Sequence, residues 1–210
     1  MPVYYVIRYT AYILLIIICA VLILRVFKKK KKPFKICIAA LFLIAIVTIS
    51  QPIENIFITF DSPEALINYY SQGEVVKVID GNESCCAVSL IGEDEMIHLI
   101  PKSNGGYKIP DMFTTSVYSD GFAKDKDNVT SLKVYNVNGT NDYYITGVGF
   151  SDSNDIMLSD NFGSQPYVTI NECAGDPDSF EYSFYSYAQN FPNKTYCLTV
   201  NGKDMQINWQ

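Results

Sequence analysis

Histidine occurs once, at position 98, and no acidic residue precedes Glu54. The first scarcity limits chemistry. A Ser-His-Asp or Cys-His hydrolase needs a histidine, so His98, in EMIHLIPK, is its sole candidate base, with Cys85, Cys86 or a serine as nucleophile. No G-x-S-x-G elbow accompanies it, and strand alternation puts His98 on the face of Met96 and Ile100, which reads as structural. Cys/His zinc spacing, a phosphate-cradling glycine loop and a dinucleotide fingerprint are also missing. Paired carboxylates do occur, as GEDE at 92–95, KDKDN at 124–128, SDSND at 151–155 and GDPDS at 175–179. None reproduces the D-x-[DN]-x-[DN]-G…E calcium loop, and they read as solvated turns. The expectation is therefore no catalytic residue, no cofactor and no metal.

The second scarcity divides the chain. Residues 1–50 carry eight Lys or Arg and no acid, a formal charge of +8, whereas residues 51–210 carry eight basic and 22 acidic residues, a charge of −14. The net of −6 averages two unlike objects. A segment at −14 repels nucleic acid and anionic headgroups, so no nucleic-acid partner is expected.

What fills the acid-free part is hydrophobic. Between Arg8 and Arg25 lie 16 uncharged residues, and from 36 to 53 runs ICIAALFLIAIVTISQPI, 18 residues or about 27 Å of helix. Tyr4, Tyr5, Tyr9 and Tyr12 cluster at one end of the first run like an interfacial belt. Between the runs stands RVFKKKKKPFK, with seven Lys or Arg among eleven residues. The turn is too short to cross a bilayer, so the sequence predicts a transmembrane helical hairpin. Lys28, Lys29, Lys30, Lys31, Lys32 and Lys35 determine topology, because lysine-rich short loops stay cytoplasmic. Both termini then face outward in a two-pass protein of the cell membrane, with the lipid bilayer as its first partner. A cleaved signal peptide fits less well, since IVTISQP has no A-x-A-like site and the first run would go unexplained. A soluble helical core would require a polar face that neither run has.

The exported part reads as two modules. TFDSPEALINYYSQG has helix grammar: Asp61 or Ser62 as cap, Pro63 in the first turn, Leu66, Ile67 and Tyr70 as apolar face, Gly73 as stop. EVVKVID, SCCAVSLI, EMIHLIPK and YKIP then alternate with period two between turn residues, a helix-on-meander module. Beyond Pro110, SLKVYNV with YYITGV, IMLS with YVTI, and TYCLTV with MQIN read as hairpins, the last through Asn201-Gly202. With FEYSFYSYA they suggest a small β-sandwich, while 118–128 reads as a flexible joint. The predicted architecture is a two-helix transmembrane hairpin (1–53), a small α+β meander module (54–111) and a β-sandwich-like module (112–210), mainly antiparallel.

FDSPEALINYY, GEVVKVIDG, IHLIPKSNGGYKI and YCLTVNGKDMQI together resemble a loose group of small membrane-anchored extracytoplasmic proteins of Gram-positive bacteria. That group carries an S-P-E-x-A helix, an alternating strand, a Lys-x-x-x-G-aromatic-Lys turn and a closing N-G-K hairpin. Tyr107 stands where such proteins often have Trp. The resemblance implies location and architecture but no activity.

Four cysteines, Cys85, Cys86, Cys173 and Cys197, lie in the exported part, where disulfides persist. Cys85 and Cys86 are strand neighbours pointing to opposite faces. Cys173 and Cys197 are the preferred disulfide pair, and four thiols packed as small hydrophobes are the alternative. In FEYSFYSYA, Tyr185 and Tyr187 share one face and form a candidate aromatic binding surface, while Tyr182 and Phe184 share the other. The expected function is a non-enzymatic, membrane-tethered protein of the cell envelope that binds or shields a partner. Two alternatives are an accessory or immunity-type subunit acting through its hairpin on another membrane protein, and an envelope hydrolase using carboxylates.

Overall fold

Two apolar helices lead the chain. The computed structural model describes residues 2–29, 31–103, 105–111, 113–125, 128–163, 165–173, 176–193 and 195–209. α1 (Val3–Val21) continues through a π-helical turn, Leu22–Val26, and α2 (Lys32–Ser50) begins after the lysine turn. Phe27 packs edge-on against Phe34 across that turn, ring centroids 4.8 Å apart, and α1 and α2 lie side by side. The threonines in these helices hide their hydroxyls by back-bonding, Thr10 to Val6 O at 2.8 Å and Thr48 to Ile44 O at 2.9 Å.

Among the described residues one helix, Val3–Arg25, is long and apolar enough to cross a membrane. The expected pair of spans is therefore met only in its first member. α2 carries Lys32 and Lys35 in its first turn, stops at Ser50 and is followed by an extended Gln51, so residues 51–53 add no helical length. The uncharged helical residues 36–50 rise only about 22 Å, against a hydrocarbon thickness of about 30 Å.

α3 (Pro63–Tyr70) forms as its sequence dictates. Ser62 Oγ accepts from Ala65 N at 3.1 Å, Pro63 occupies the first turn, and Leu66 and Ile67 are fully buried. β1 (Glu74–Asp80), β2 (Ser84–Ile91), β3 (Asp94–Ser103) and β4 (Gly106–Tyr107) follow as an antiparallel meander in that spatial order. Cys85, Ala87 and Ile100 on one face meet Leu66 and Ile67 of α3. Cys86 and Leu99, on the other face, meet Val137 and Tyr144 of the next module, so the two neighbouring cysteines do serve opposite faces.

The C-terminal module contains β5 (Thr115–Asp125), β6 (Asn128–Val137), β7 (Asp142–Ser151), β8 (Leu158–Asp160), β9 (Tyr167–Cys173), β10 (Asp176–Gln189), β11 (Leu198–Val200), β12 (Lys203–Asp204) and β13 (Gln206–Trp209). A six-stranded antiparallel sheet has the order β13-β5-β6-β7-β10-β9, and a three-stranded one β12-β11-β8. Leu132, Val134, Ile145, Tyr182 and Phe184 of the large sheet pack on Leu198, Val200 and Met205 to form the core. Residues 118–125 are not a joint but most of β5, paired along β6 with a bulge between Val117 and Ser119. IMLS and YVTI also part company, since β8 and β9 join different sheets. Asn201 (φ 49°) and Gly202 (φ 77°) make the expected primed turn between β11 and β12. The chain then leaves that hairpin, and β13 pairs with β5.

Candidate functional site

The residues that tie the layers together are polar and buried, and they form two joints. At the first, the N-terminal end of α1 meets the β region. The Arg8 guanidinium lies 4.3 Å from the Tyr4 ring centroid and donates to Glu54 Oε2 at 2.5 Å. Glu54 belongs to the 3-10 turn Ile53–Ile56, and Arg8 is only 6% exposed. Tyr4 is buried too, edge-on to Tyr69 (5.9 Å) and Tyr70 (6.5 Å) of α3. Next to Glu54, the Asn55 side chain exchanges hydrogen bonds with the Ile109 backbone, and Lys108 Nζ donates to Asn55 O and Ile58 O. In the sequence Arg8 marks only the boundary of the first apolar run. The signal that it has a protein partner was the first acid of the chain, Glu54, just past the second apolar run.

Tyr70 leads inward to the single histidine. His98 Nδ1 lies 2.8 Å from Tyr70 OH and Nε2 lies 2.8 Å from Ser89 Oγ, so both ring nitrogens are occupied. Burial pushes the His98 pKa below its ordinary value. Ser89 is fully buried, and the Cys85 thiol, inside an apolar cluster, is pushed up to about 12 by burial. Cys86 is pushed up as well. These thiols are protonated and packed, a poor state for nucleophiles.

The second joint fixes meander to sandwich and centres on Asp142, 1% exposed at the start of β7. Its Oδ1 accepts from Asn82 N (3.3 Å) and Tyr187 OH (2.8 Å), and its Oδ2 from Glu83 N (2.8 Å) and Ser84 Oγ (2.7 Å). Burial alone would raise its pKa, but these hydrogen bonds outweigh burial and hold the carboxyl below its ordinary value. Tyr185 OH donates to Glu95 at 2.5 Å. Tyr185 and Tyr187 therefore form no open aromatic face. Tyr185 is buried and Tyr187 packs on Tyr144, because the meander covers this side of the sheet. Tyr182 and Phe184 lie in the core, as their alternation requires.

The other predicted residues are dispersed. Cys173 ends β9 and Cys197 precedes β11, in different sheets, and all six cysteines are free, so the expected disulfide is not formed in this structure. Lys28 and Lys29 lie exposed in the turn between α1 and α2, Lys31 is the N-cap residue of α2 without a side-chain cap bond, Lys32 begins the helix, and Lys35 Nζ reaches Lys28 O at 3.3 Å. Lys30 lies outside the described residues. Among the described residues no three or more His, Cys, Asp or Glu are placed to hold a metal ion. The acidic turn at 151–155 is held by its own serines, Ser153 N donating to Ser151 Oγ and Asp155 N to Ser153 Oγ. No known protein family, curated protein or solved structure matches this chain.

Proposed function

We propose that this is a non-enzymatic, two-pass membrane protein of the cell envelope whose β region stands outside the cytoplasm as a rigid binding or shielding module. The observation that carries the reading is the Arg8–Glu54 ion pair with its Tyr4, Tyr69 and Tyr70 surround. It supports a topology in which the N-terminal end of α1 and the β region share one side of the bilayer. A chain that crosses once in α1 must cross again to return, and α2 is the segment available for that. Supporting this, the outward side chains of both helices are apolar and exposed, among them Ile13, Ile16, Leu41, Leu43 and Ile44, which suits lipid and not water. Locally thinned lipid and snorkelling lysine stems accommodate the short second helix. The lysines keep the turn cytoplasmic, and the β region is outside as a result. The resemblance to membrane-anchored extracytoplasmic proteins of Gram-positive bacteria points the same way.

The test is protease added to intact cells. Digestion of the β region in intact cells supports the reading, and protection there with digestion in lysates overturns it. A second reading rests on the groove between α1 and α2, about 350 Å³ and lined by apolar side chains such as Leu15, Cys19, Ala20, Ala39 and Phe42. It offers a seat for a helix of another membrane protein, as an accessory or immunity-type subunit would need. Co-purification of a stoichiometric partner in mild detergent, lost when both helices are exchanged for unrelated spans, would favour it.

A further inference from the structure

The segment between α2 and α3 has a side that no described residue covers. Phe57 is 85% exposed and Ile56 75%, more than any other large hydrophobic side chain among the described residues. We infer that these two side chains insert into the outer leaflet of the bilayer that holds α1, forming a wedge that fixes the height and tilt of the β region. The inference rests on the membrane anchoring proposed above.

Position supports it first. Ile56 follows the end of α2 by six residues, and Glu54, one turn before Phe57, is tied to Arg8 in the second turn of α1. At that level of α1, Tyr5 and Tyr9 are stacked on one another and exposed, the placement of an interfacial aromatic belt. The wedge therefore continues the surface along which α1 enters lipid.

Backbone satisfaction is the second support. A non-helical segment enters an apolar medium at low cost only if its polar groups are paired. Phe57 N and Ile58 N both donate to Glu54 O, at 2.9 and 2.7 Å, and Asn55 N donates to Pro52 O at 2.9 Å. The carbonyls of Asn55 and Ile58 accept from Lys108 Nζ, and the Asn55 side chain is taken up by Ile109. These bonds pair the Asn55, Phe57 and Ile58 amides and the Asn55 and Ile58 carbonyls within the protein, while the Ile56 and Phe57 side chains are exposed.

Charge is the third. The β region is strongly acidic, yet Glu54 is the only acid before Asp61 and is paired with Arg8. With its one acid paired, this edge approaches anionic headgroups with little of the repulsion that an acidic surface imposes.

Trp209 is the only tryptophan, so a Phe57→Trp, Trp209→Phe chain carries a single reporter. The full chain, reconstituted in phosphatidylcholine vesicles with brominated acyl chains, should lose roughly half or more of its indole emission relative to unbrominated vesicles, and iodide should quench it little. Quenching by iodide and not by bromine would overturn the inference, and so would shielding from both, which would assign the site to a protein partner or a second copy. If Trp209→Phe fails to fold, Phe57→Trp alone is read as the difference from the parent chain. A chain that does not float with the vesicles refutes the anchoring itself. A chain that floats with its indole open to iodide refutes the wedge alone.

Discussion

Replacing Asp142 with asparagine should loosen the meander from the sandwich while leaving the anchor intact. Four donors converge on this carboxylate, and two of them, Asn82 N and Glu83 N, are backbone amides that cannot reverse direction. They bond to different oxygens, so whichever way an asparagine amide is turned its NH₂ faces one of them. The substitution loses charge-assisted hydrogen bonds worth about 1.5–3 kcal/mol and leaves a buried donor unpaired, for a net cost of about 3 kcal/mol. For a chain of this size that lowers Tm by roughly 6–12 °C. Near-UV circular dichroism of the full chain in detergent reads the transition through its tyrosines. A loss of less than about 2 °C would refute the assignment of Asp142 as the hub.

Acid adds a second reading of the same site. The folded-state pKa of Asp142 is depressed, so the unfolded chain binds more protons below the ordinary carboxylate value of about 4. The Asp142 contribution is therefore complete above that value and disappears as pH falls through the folded pKa. Wild type should lose this stability in acid, and Asp142→Asn should not.

Other outcomes follow from the same physics. Glu54→Gln strips the buried Arg8 of its counter-charge and should cost about 3–5 kcal/mol, whereas Arg8→Met with Glu54→Leu should recover most of it in a double-mutant cycle. Gly147→Ala would place a Cβ 2.2 Å from Phe184 Cε1, so thermal unfolding should show a loss of about 1–3 kcal/mol. His98 is held neutral by burial, and its folded pKa is below that of the unfolded chain. Its contribution is full above the unfolded value of about 6.5 and falls as pH drops below it, a slope that melts of His98→Gln should lack. Asp160 behaves oppositely to Asp142, because burial raises its pKa despite the bond from Ser186. Asp160→Asn should accordingly cost less than Asp142→Asn in paired melts at neutral pH.

What was legible in the sequence was local. The cap, first-turn proline and apolar face of α3, the alternation of β1 to β3 and the Asn201-Gly202 turn are each set within a few residues, and each forms as read. β5 was obscured because Ser119, Asp120 and Lys124 interrupt its alternation, and its pairing partners come from β6 and from the distant β13. The separation of β8 from β9 is likewise decided by which sheet each completes, not by the turn between them. At the candidate sites the same limit applies. Tyr185 and Tyr187 were placed on the correct common face, but only the packing of the meander shows that this face is covered. Nothing in its local sequence sets Asp142 apart; the partner that closes on it, Ser84, is some sixty residues away.

In the proposed topology the N-terminus and the β region share one side of the bilayer, with the lysine turn on the other. Epitopes placed at the N-terminus, within the lysine turn and at the C-terminus, probed by antibody before and after permeabilisation, test this directly. Both terminal epitopes should be labelled on intact cells, and the turn only after permeabilisation. An N-terminal epitope hidden while the C-terminal one is labelled would contradict it, since Arg8 and Glu54 could then not meet.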